Sequence, residues 1–485
     1  MSRVLSQGIL KRVTTLLAAQ WLGDGLHAVF LLLLARRAVD TYGNFMLAMH
    51  LGQILLFCAE FGINQHFMLL LVKRVATPSS VYRQITLLKG ALLGLGSAVL
   101  AGFCLWQGYG GELTSLVLVI GLSFGLDALT NSYFVVCQSL GRQDMEGRLR
   151  SAASLCGYGF GLLALLAGAP PLVAALFKPV ETLVGLAVSL RLLRRSWRVS
   201  SLPLWSTIRA AWNETRVFTL MALAAILYNK VNIFYLQQHG GAWAVAQYSA
   251  TWQLVDGVAS LASTILLGRV LFPLFAKLWV TDQAAFAAKA REQGRSMLAL
   301  ALPITFVFMA GSPVIIPLAY GDQYAEAVRI QPWLALCLAI SFVHNLAYYL
   351  LLSMGRQVLV FWFFLAGLAV NVALCASLIP GGGVFGGLPG DQLDRAVAAI
   401  LLTKAFVAAL TLGACQRFLK LFSPRGLAAA LLTAAGAAAL SFGGAALGQA
   451  IAGQALALAL LLAHLWRTLR AAPAEPGLIP AGGEG

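Results

Sequence analysis

The chain has 485 residues, 60% of them hydrophobic and 11% charged, with a mean hydropathy of +0.82. Soluble globular proteins carry roughly a quarter of their residues as charged side chains, so this composition excludes one and leaves no room for a soluble domain. The net charge of +16 would point a soluble protein toward nucleic acid, but here it asks first which side of a membrane the basic residues occupy.

In chain order, Lys11 and Arg12 precede the apolar run Val13 to Leu34. The run is too long for a signal h-region and has no small-residue cleavage site, so it is expected to be a retained first span. Apolar runs broken by charge or by Gly and Pro predict fourteen spans. The first seven are 13–34, 45–68, 85–106, 113–138, 151–168, 171–190 and 216–236; the rest are 245–272, 297–319, 330–352, 358–379, 396–414, 427–447 and 449–466. An even count puts both termini on one side. Of the 34 Lys and Arg residues, 26 fall on the side of the N-terminus, four opposite (Arg36, Arg37, Arg329, Arg395), and four inside spans (Lys89, Lys178, Lys230, Lys404). A misplaced span would have inverted every later loop, so the segregation supports the count and makes both termini cytoplasmic. The net charge is thereby topological, with attraction to anionic membrane lipids secondary and no nucleic-acid partner implied.

The connection Arg191 to Arg216 places Leu204, Trp205, Ile208, Ala211 and Trp212 at near-helical spacing among basic residues, the pattern of an amphipathic helix on the cytoplasmic surface. The longest outer loop, Ile379 to Arg395, is rich in Gly and Pro and specifies turns. Seven scattered cysteines with no CxxC or Cys/His spacing read as packing residues, so no metal or redox centre is expected. A local repeat fixes the organisation. Asn131 to Gln143 (NSYFVVCQSLGRQ) and Asn345 to Gln357 (NLAYYLLLSMGRQ) both close on Ser-x-Gly-Arg-Gln, one ending the fourth span and the other the tenth. Both place an Arg (Arg142, Arg356) at a cytoplasmic corner, where it anchors the turn or belongs to a gate between moving halves.

The predicted fold is an all-α polytopic membrane protein of about 14 transmembrane helices, two six-helix lobes in parallel repeat plus two extra C-terminal helices. Its parts are an N-terminal lobe at 1–198, an amphipathic connector at 199–215 and a C-terminal lobe at 216–421. Two extra helices at 422–470 and a cytoplasmic tail at 471–485 follow.

No P-loop, nucleophile elbow or metal spacing is present, so the chemistry rests on ionisable groups inside spans, which cost roughly 2.5 to 3.5 kcal/mol each and are kept for pairing, hydration or function. Asp24 and His27 lie three apart on one face of the first span, as a satisfied polar pair or as a contact for a coupling cation or substrate. Asp127 and Asp256 are each either proton carriers or neutral groups bonded to a neighbouring helix. Lys230, beside Tyr228, Asn229 and Asn232, suits a phosphate or pyrophosphate as a point charge, or snorkels to the headgroups. Lys178 and Glu181, three apart, read as an internal ion pair. His344 and Lys404 sit in spans ten and twelve, and Asn131 and Asn345 either cap helix contacts or touch ligand. Spans one, four, seven, eight and ten belong to the set that would line a cleft between two halves.

Several phrases carry a family resemblance: Tyr42-Gly43, Glu60-Phe61-Gly62-Ile63-Asn64-Gln65, Gln247-Tyr248-Ser249-Ala250, Phe272-Pro273-Leu274-Phe275 and Tyr320-Gly321-Asp322-Gln323-Tyr324. With the six, six, two arrangement, the chain over most of residues 1 to 420 resembles the polysaccharide or O-antigen (Wzx-type) flippases of the multidrug/oligosaccharidyl-lipid/polysaccharide exporter superfamily. That resemblance implies a bacterial inner-membrane flippase for undecaprenyl-pyrophosphate-linked oligosaccharide, not an enzyme, without a cofactor and coupled to H+ or Na+, working beside a polysaccharide polymerase or assembly machinery. With that cargo, the polar and ionisable groups inside spans become expected substrate contacts at Lys230, His344, Asn229, Asn131, Asn345 and Lys404, and expected ion-coupling groups at Asp24, His27, Asp127 and Asp256. One departure stands out: relatives often carry an Asp in the outer half of the seventh span, where this chain has Asn229-Lys230-Val231-Asn232, and an amide cannot exchange a proton. Two other classes stay open. A drug/cation antiporter of the same superfamily favours a net-acidic cavity, against the four span lysines, and a polysaccharide polymerase or ligase needs a larger catalytic outer loop.

Overall fold

The computed structural model describes residues 2–60, 63–72, 78–140, 142–194, 204–380, 390–442 and 447–470. They are helical throughout, with no strand among the described residues: α1 (Ser2–Arg37), α2 (Val39–Glu60), α3 (Ile63–Val72), α4 (Pro78–Trp106), α5 (Gly111–Ser139), α6 (Gln143–Leu166), α7 (Pro171–Ala175), α8 (Phe177–Arg194), α9 (Leu204–Leu261), α10 (Phe272–Thr281), α11 (Gln283–Ala310), α12 (Ser312–Tyr320), α13 (Ala325–Ser353), α14 (Gln357–Leu378), α15 (Gln392–Leu419), α16 (Pro424–Phe442) and α17 (Leu447–Arg470). Large apolar side chains such as Leu95, Val99, Leu163 and Leu432 stand exposed on the helix surfaces, as expected where the solvent is lipid.

Twelve helices among the described residues are long and apolar enough to cross a membrane. One candidate, Thr215–Thr281, runs for 67 residues. A straight helix of that length would extend about 100 Å against a hydrocarbon layer of about 30 Å. The run is broken at Gly241 (φ 67°, ψ −169°), a conformation that is nearly the preserve of glycine. Further along, Ala262–Leu271 is π-helical and leads into Pro273. Proline has no N–H to give to the carbonyl four residues back and its ring collides with it, so a register shift just before it is the local solution. The connector differs from expectation. In place of a separate surface helix, Leu204 to Thr215 is the start of α9 and continues into the following span, because nothing between Leu204 and His239 is Gly or Pro. Residues 195–203, 381–389 and 471–485, which hold the rest of the connector, most of the long outer loop and the tail, lie outside the described residues.

By contact the chain forms two compact units. The first comprises Met1–Ala250, Ala319–Tyr324 and Phe364–Ala399. In it α5 packs against α2, α3, α4 and α8, while α1 and α8 both pack on α6. Small residues allow the approach: a Cβ on Gly157 of α6 would lie 2.7 Å from the Phe177 carbonyl and 2.5 Å from Glu181 Cβ on α8, the small-residue logic of helices that pack without a hydrophobic drive. Phe30, Phe45, Tyr158 and Phe177 fill the space beside it.

The second unit comprises Thr251–Leu318, Ala325–Phe363 and Ile400–Gly485. Here α11 packs on α13, and α16 and α17 pack on each other and on α11, burying Ala437, Ala457 and Leu461 against Leu302 and Phe306.

The repeat reappears as backbone geometry. Helices α5 and α13 each have 29 residues and begin and end 214 positions apart, as do the starts of α6 and α14. At the first corner Arg142 N donates to the Cys137 carbonyl at 2.8 Å, and at the second Arg356 N donates to the Leu351 carbonyl at 2.9 Å, the same closure shifted by the same offset.

Candidate functional site

Two clusters of ionisable residues in the first unit meet α5 from different neighbouring helices. In the first, Lys89 of α4, with no exposed surface, donates from Nζ to Asn64 Oδ1 at 2.8 Å and to the Ala128 carbonyl at 2.6 Å. Glu60, which closes α2, accepts from Asn131 Nδ2 at 2.6 Å and from Asn64 Nδ2 at 3.3 Å. The cluster joins α2, α3, α4 and α5 in one network, in which each polar group has a partner, as burial requires.

In the second, Lys178 of α8 sits between two carboxylates. It bonds Asp127 of α5 directly and Glu181 of its own helix at 2.8 Å, and its ammonium lies 4.5 Å from the centre of the Phe124 ring. Thr182 Oγ1 donates to Asp127 Oδ1 at 2.7 Å, and Ser154 Oγ of α6 donates to Glu181 Oε1 at 2.8 Å. Gly157, one turn from Ser154, permits the α6 to α8 approach that makes the second bond. One cation for two carboxylates leaves the site one negative charge over balance. Next to it, His27 pairs with the Tyr158 hydroxyl at 3.0 Å through Nδ1. The expected Asp24 to His27 pair is not what holds the imidazole: Tyr158 takes that place, and Asp24 is on an exposed position of α1.

A third cluster in this unit carries amides only. Asn371 of α14, fully buried, donates from Nδ2 to the Tyr228 carbonyl and to Asn232 Oδ1 at 2.9 Å. Asn232 in turn donates to the Ala396 carbonyl at 2.9 Å. Asn229 is turned back onto its own helix, donating to the Ala225 carbonyl at 2.7 Å. Lys230 is half-buried between these residues in sequence and is an electrostatic neighbour of His50 on α2.

The family phrases also meet in this unit. Tyr42 of α2 packs against Tyr320 and Tyr324. Tyr324 Oη and Gln323 Nε2 both donate to the Ala35 carbonyl at the end of α1, at 3.2 Å and 2.8 Å. Gln247 Nε2 donates to the Gln323 carbonyl at 3.0 Å. A Cβ on Gly43 would overlap the Ala242 carbonyl, so Gly43 lets the α2 and α9 backbones touch. Three phrases that are far apart in sequence thus form one latch.

In the second unit Lys404 of α15 donates to Ser341 Oγ of α13 at 3.3 Å and lies 5.1 Å from the centre of the Trp252 ring. His344, buried, pairs with Thr411 Oγ1 at 3.0 Å. Asp256 and Lys404 are both electrostatic neighbours of Cys337. Asn345 is half-buried on α13. Arg142 and Arg356 are exposed, Arg356 over the Phe418 ring.

The structure therefore gathers Asp127 with Lys178 and Glu181, and Lys404 with His344 one turn along α13 from its partner Ser341. Asn131 falls in the Glu60 network, and His27 is held by Tyr158. Sequence reasoning did not single out Glu60, Asn64, Tyr158, Ser154, Thr182 or Asn371 as site residues. Glu60 and Asn371 carried a signal, a carboxylate and an amide within apolar helices; Ser154, Thr182 and Tyr158 carried none, since hydroxyls are cheap in a helix.

Among solved structures, the chain is similar to the lipid II flippase MurJ in an inward closed conformation (TM-score 0.62, 10% identity, 93% of this chain and 99% of that one). It is also similar to an inward-facing multidrug resistance MATE family transporter of the MOP superfamily (TM-score 0.60, 11% identity, 83% and 94%). A third likeness is the Vibrio cholerae MATE transporter VcmN in its bent form (TM-score 0.50, 16% identity, 85% and 98%). At these identities the likeness is one of fold. No curated protein matches the chain. The family model described as polysaccharide biosynthesis protein matches residues 9–279. That stretch is more than half of the chain and takes in the Glu60 and Lys178 clusters and Lys230, so this membrane protein belongs to the polysaccharide biosynthesis protein family.

Proposed function

We propose that the protein is a flippase of the bacterial inner membrane. It carries an undecaprenyl-pyrophosphate-linked oligosaccharide from the cytoplasmic to the periplasmic leaflet by alternating access, driven by a proton or sodium gradient and feeding a polysaccharide polymerase. The observation that carries this reading is family membership joined to the fold shared with a lipid II flippase. The side chains agree. Cations inside spans, Lys230 and Lys404, match a pyrophosphate, whereas a carrier of cationic drugs favours a net-acidic path. Gathering sugar hydroxyls into a polar cavity spares their desolvation, and the prenyl tail stays in lipid. We read Thr215–Thr281 as two passes folded at Gly241 and α16 as a further pass, which gives fourteen spans with both termini cytoplasmic. The matched boundaries of α5 and α13 support two six-helix lobes, at 1–198 and 216–421.

The test is reconstitution into vesicles with a fluorescent lipid-linked sugar, read by its loss of accessibility to an external quencher. Wild-type protein is expected to move the label and Lys230→Ala to slow it. Vesicles containing wild-type protein that behave like empty ones would refute a flippase, and equal rates for the two proteins would remove Lys230 from the path.

A further inference from the structure

The two lysines that enter from the last helix of each predicted lobe occupy corresponding places in the repeat, but with opposite electrostatic surroundings. The offset of 214 that relates α5 to α13 carries Asp127 onto Ser341 and Thr130 onto His344. An offset of 226 between α8 and α15 carries Lys178 onto Lys404, Glu181 onto Val407 and Gly185 onto Thr411. Two independent contacts support this alignment. Lys178 reaches Asp127 as Lys404 reaches Ser341. A Cβ on Gly185 would touch Thr130, as Thr411 bonds His344.

With the alignment fixed, the substitutions have a direction. Lys178 is neutralised twice over, by Asp127 and by Glu181. At the corresponding positions Lys404 meets a serine and a valine. Its contacts among the described residues are Ser341 Oγ and the Trp252 face, with no carboxylate in ion-pair range. Asp256, one turn beyond Trp252 on α9, is the acidic neighbour that shares Cys337 with it. A neutral hydroxyl and an aromatic face do not balance an ammonium inside a helical bundle, where an unpaired charge is costly. An anion with oxygens to spare supplies what Asp127 and Glu181 supply to Lys178.

We infer that Lys404, Ser341 and Trp252 form an anion site for the pyrophosphate head of the lipid-linked substrate, and that the corresponding site at Lys178 is closed to anions by its own carboxylates. Lys404 is the point charge, Ser341 holds its ammonium in place and offers the hydroxyl as a donor, and the buried Trp252 sets its ring beside the ammonium. The inference rests on the flippase reading only for the identity of the natural anion.

The test restores the missing carboxylate. Purified full-length protein in nanodiscs is titrated with farnesyl pyrophosphate by calorimetry, with inorganic pyrophosphate as competitor. Lys404→Gln and Ser341→Asp should weaken both interactions by roughly tenfold to a hundredfold, the range of one charge-assisted hydrogen bond. Lys404→Arg and Ser341→Asn, which keep the charge or the neutrality, should stay within about threefold of wild type on the same scale. No binding to wild type, equal binding by Ser341→Asp and Ser341→Asn, or loss of the farnesyl compound with inorganic pyrophosphate unaffected would overturn the site. If the pattern holds while the protein fails to move lipid-linked sugar, the flippase reading falls and the anion site stands; if flipping proceeds and Ser341→Asp leaves it unchanged, the site falls and the flippase stands.

Discussion

Replacing Lys178 by methionine removes the one cation between Asp127 and Glu181 while keeping most of the unbranched side chain. At 2.8 Å and an effective dielectric of about 20, a single ammonium and carboxylate attract by roughly 6 kcal/mol before desolvation. Lys178, Asp127 and Glu181 have side-chain exposures of 8%, 22% and 15%, so desolvation cancels much of that attraction. What the single variant leaves behind is two carboxylates facing each other without a cation. The expected cost is about 3–5 kcal/mol, the usual result of removing one member of a buried ionic group. Glu181→Gln keeps the Asp127 pair and the Ser154 bond and should cost about 1–2 kcal/mol. The triple variant Lys178→Met, Asp127→Asn, Glu181→Gln has no charge left to strand and should recover most of the loss, a non-additivity that marks a coupled network. Reversible unfolding in mixed detergent micelles, followed by tryptophan fluorescence, measures all three. A Lys178→Met protein within about 1 kcal/mol of wild type, or a triple variant less stable than the single one, would refute this electrostatic account.

Other expectations follow from the same contacts. Gly43→Ala puts a Cβ into the Ala242 carbonyl, a backbone atom with no flexible end to swing away, and is expected to lower the unfolding midpoint sharply; Gly90→Ala, with nothing within 4 Å, should be neutral or gain up to about 1 kcal/mol of helix propensity. Asn371→Leu deprives Asn232 and the Tyr228 carbonyl of their donor, at about 1–3 kcal/mol in the same assay. Lys89→Met should destabilise more than Glu60→Gln, because glutamine still accepts from Asn131 whereas methionine leaves Asn64 and Glu60 without the cation beside them.

The helices were legible because lipid imposes a one-dimensional rule: a stretch either satisfies its own backbone and is apolar for about 20 residues, or it is a loop. The repeat was legible for a similar reason, since Ser-x-Gly-Arg-Gln sits where a helix must end and the chain must turn. Partners were not legible in this way. The i, i+3 spacing linked His27 to Asp24, but the imidazole is held by Tyr158, 131 positions away. The same spacing linked Lys178 to Glu181, which the fold keeps, yet gave no hint of Asp127, the stronger claim on the same ammonium. Asn131, read as a capping or ligand residue, is committed to Glu60 at 71 positions' remove. Only the close approach of α6 and α8 at Gly157, or of α2 and α9 at Gly43, decides such pairings, and a glycine in a membrane helix does not announce what it lies against.

The uneven charge around Lys178 bears on the ion coupling proposed above. Glu60 and Lys89 balance one for one, and the Asn232 and Asn371 cluster is neutral, so among these three clusters of the first unit the surplus carboxylate lies at Asp127 and Glu181. An excess charge of one in a partly buried site is relieved by taking up one cation, and the Ser154 and Thr182 hydroxyls already fix the carboxylate oxygens that would receive it. If this is where a gradient acts, Glu181→Gln removes the surplus without removing the ion pair, and should leave lipid-linked sugar moving downhill at an ordinary rate while abolishing its acceleration by an imposed proton or sodium gradient. Proteoliposomes prepared with and without each gradient make the comparison directly. A Glu181→Gln protein that still responds to the gradient as wild type does would move the coupling site elsewhere, with Asp256 of α9 the next carboxylate to test.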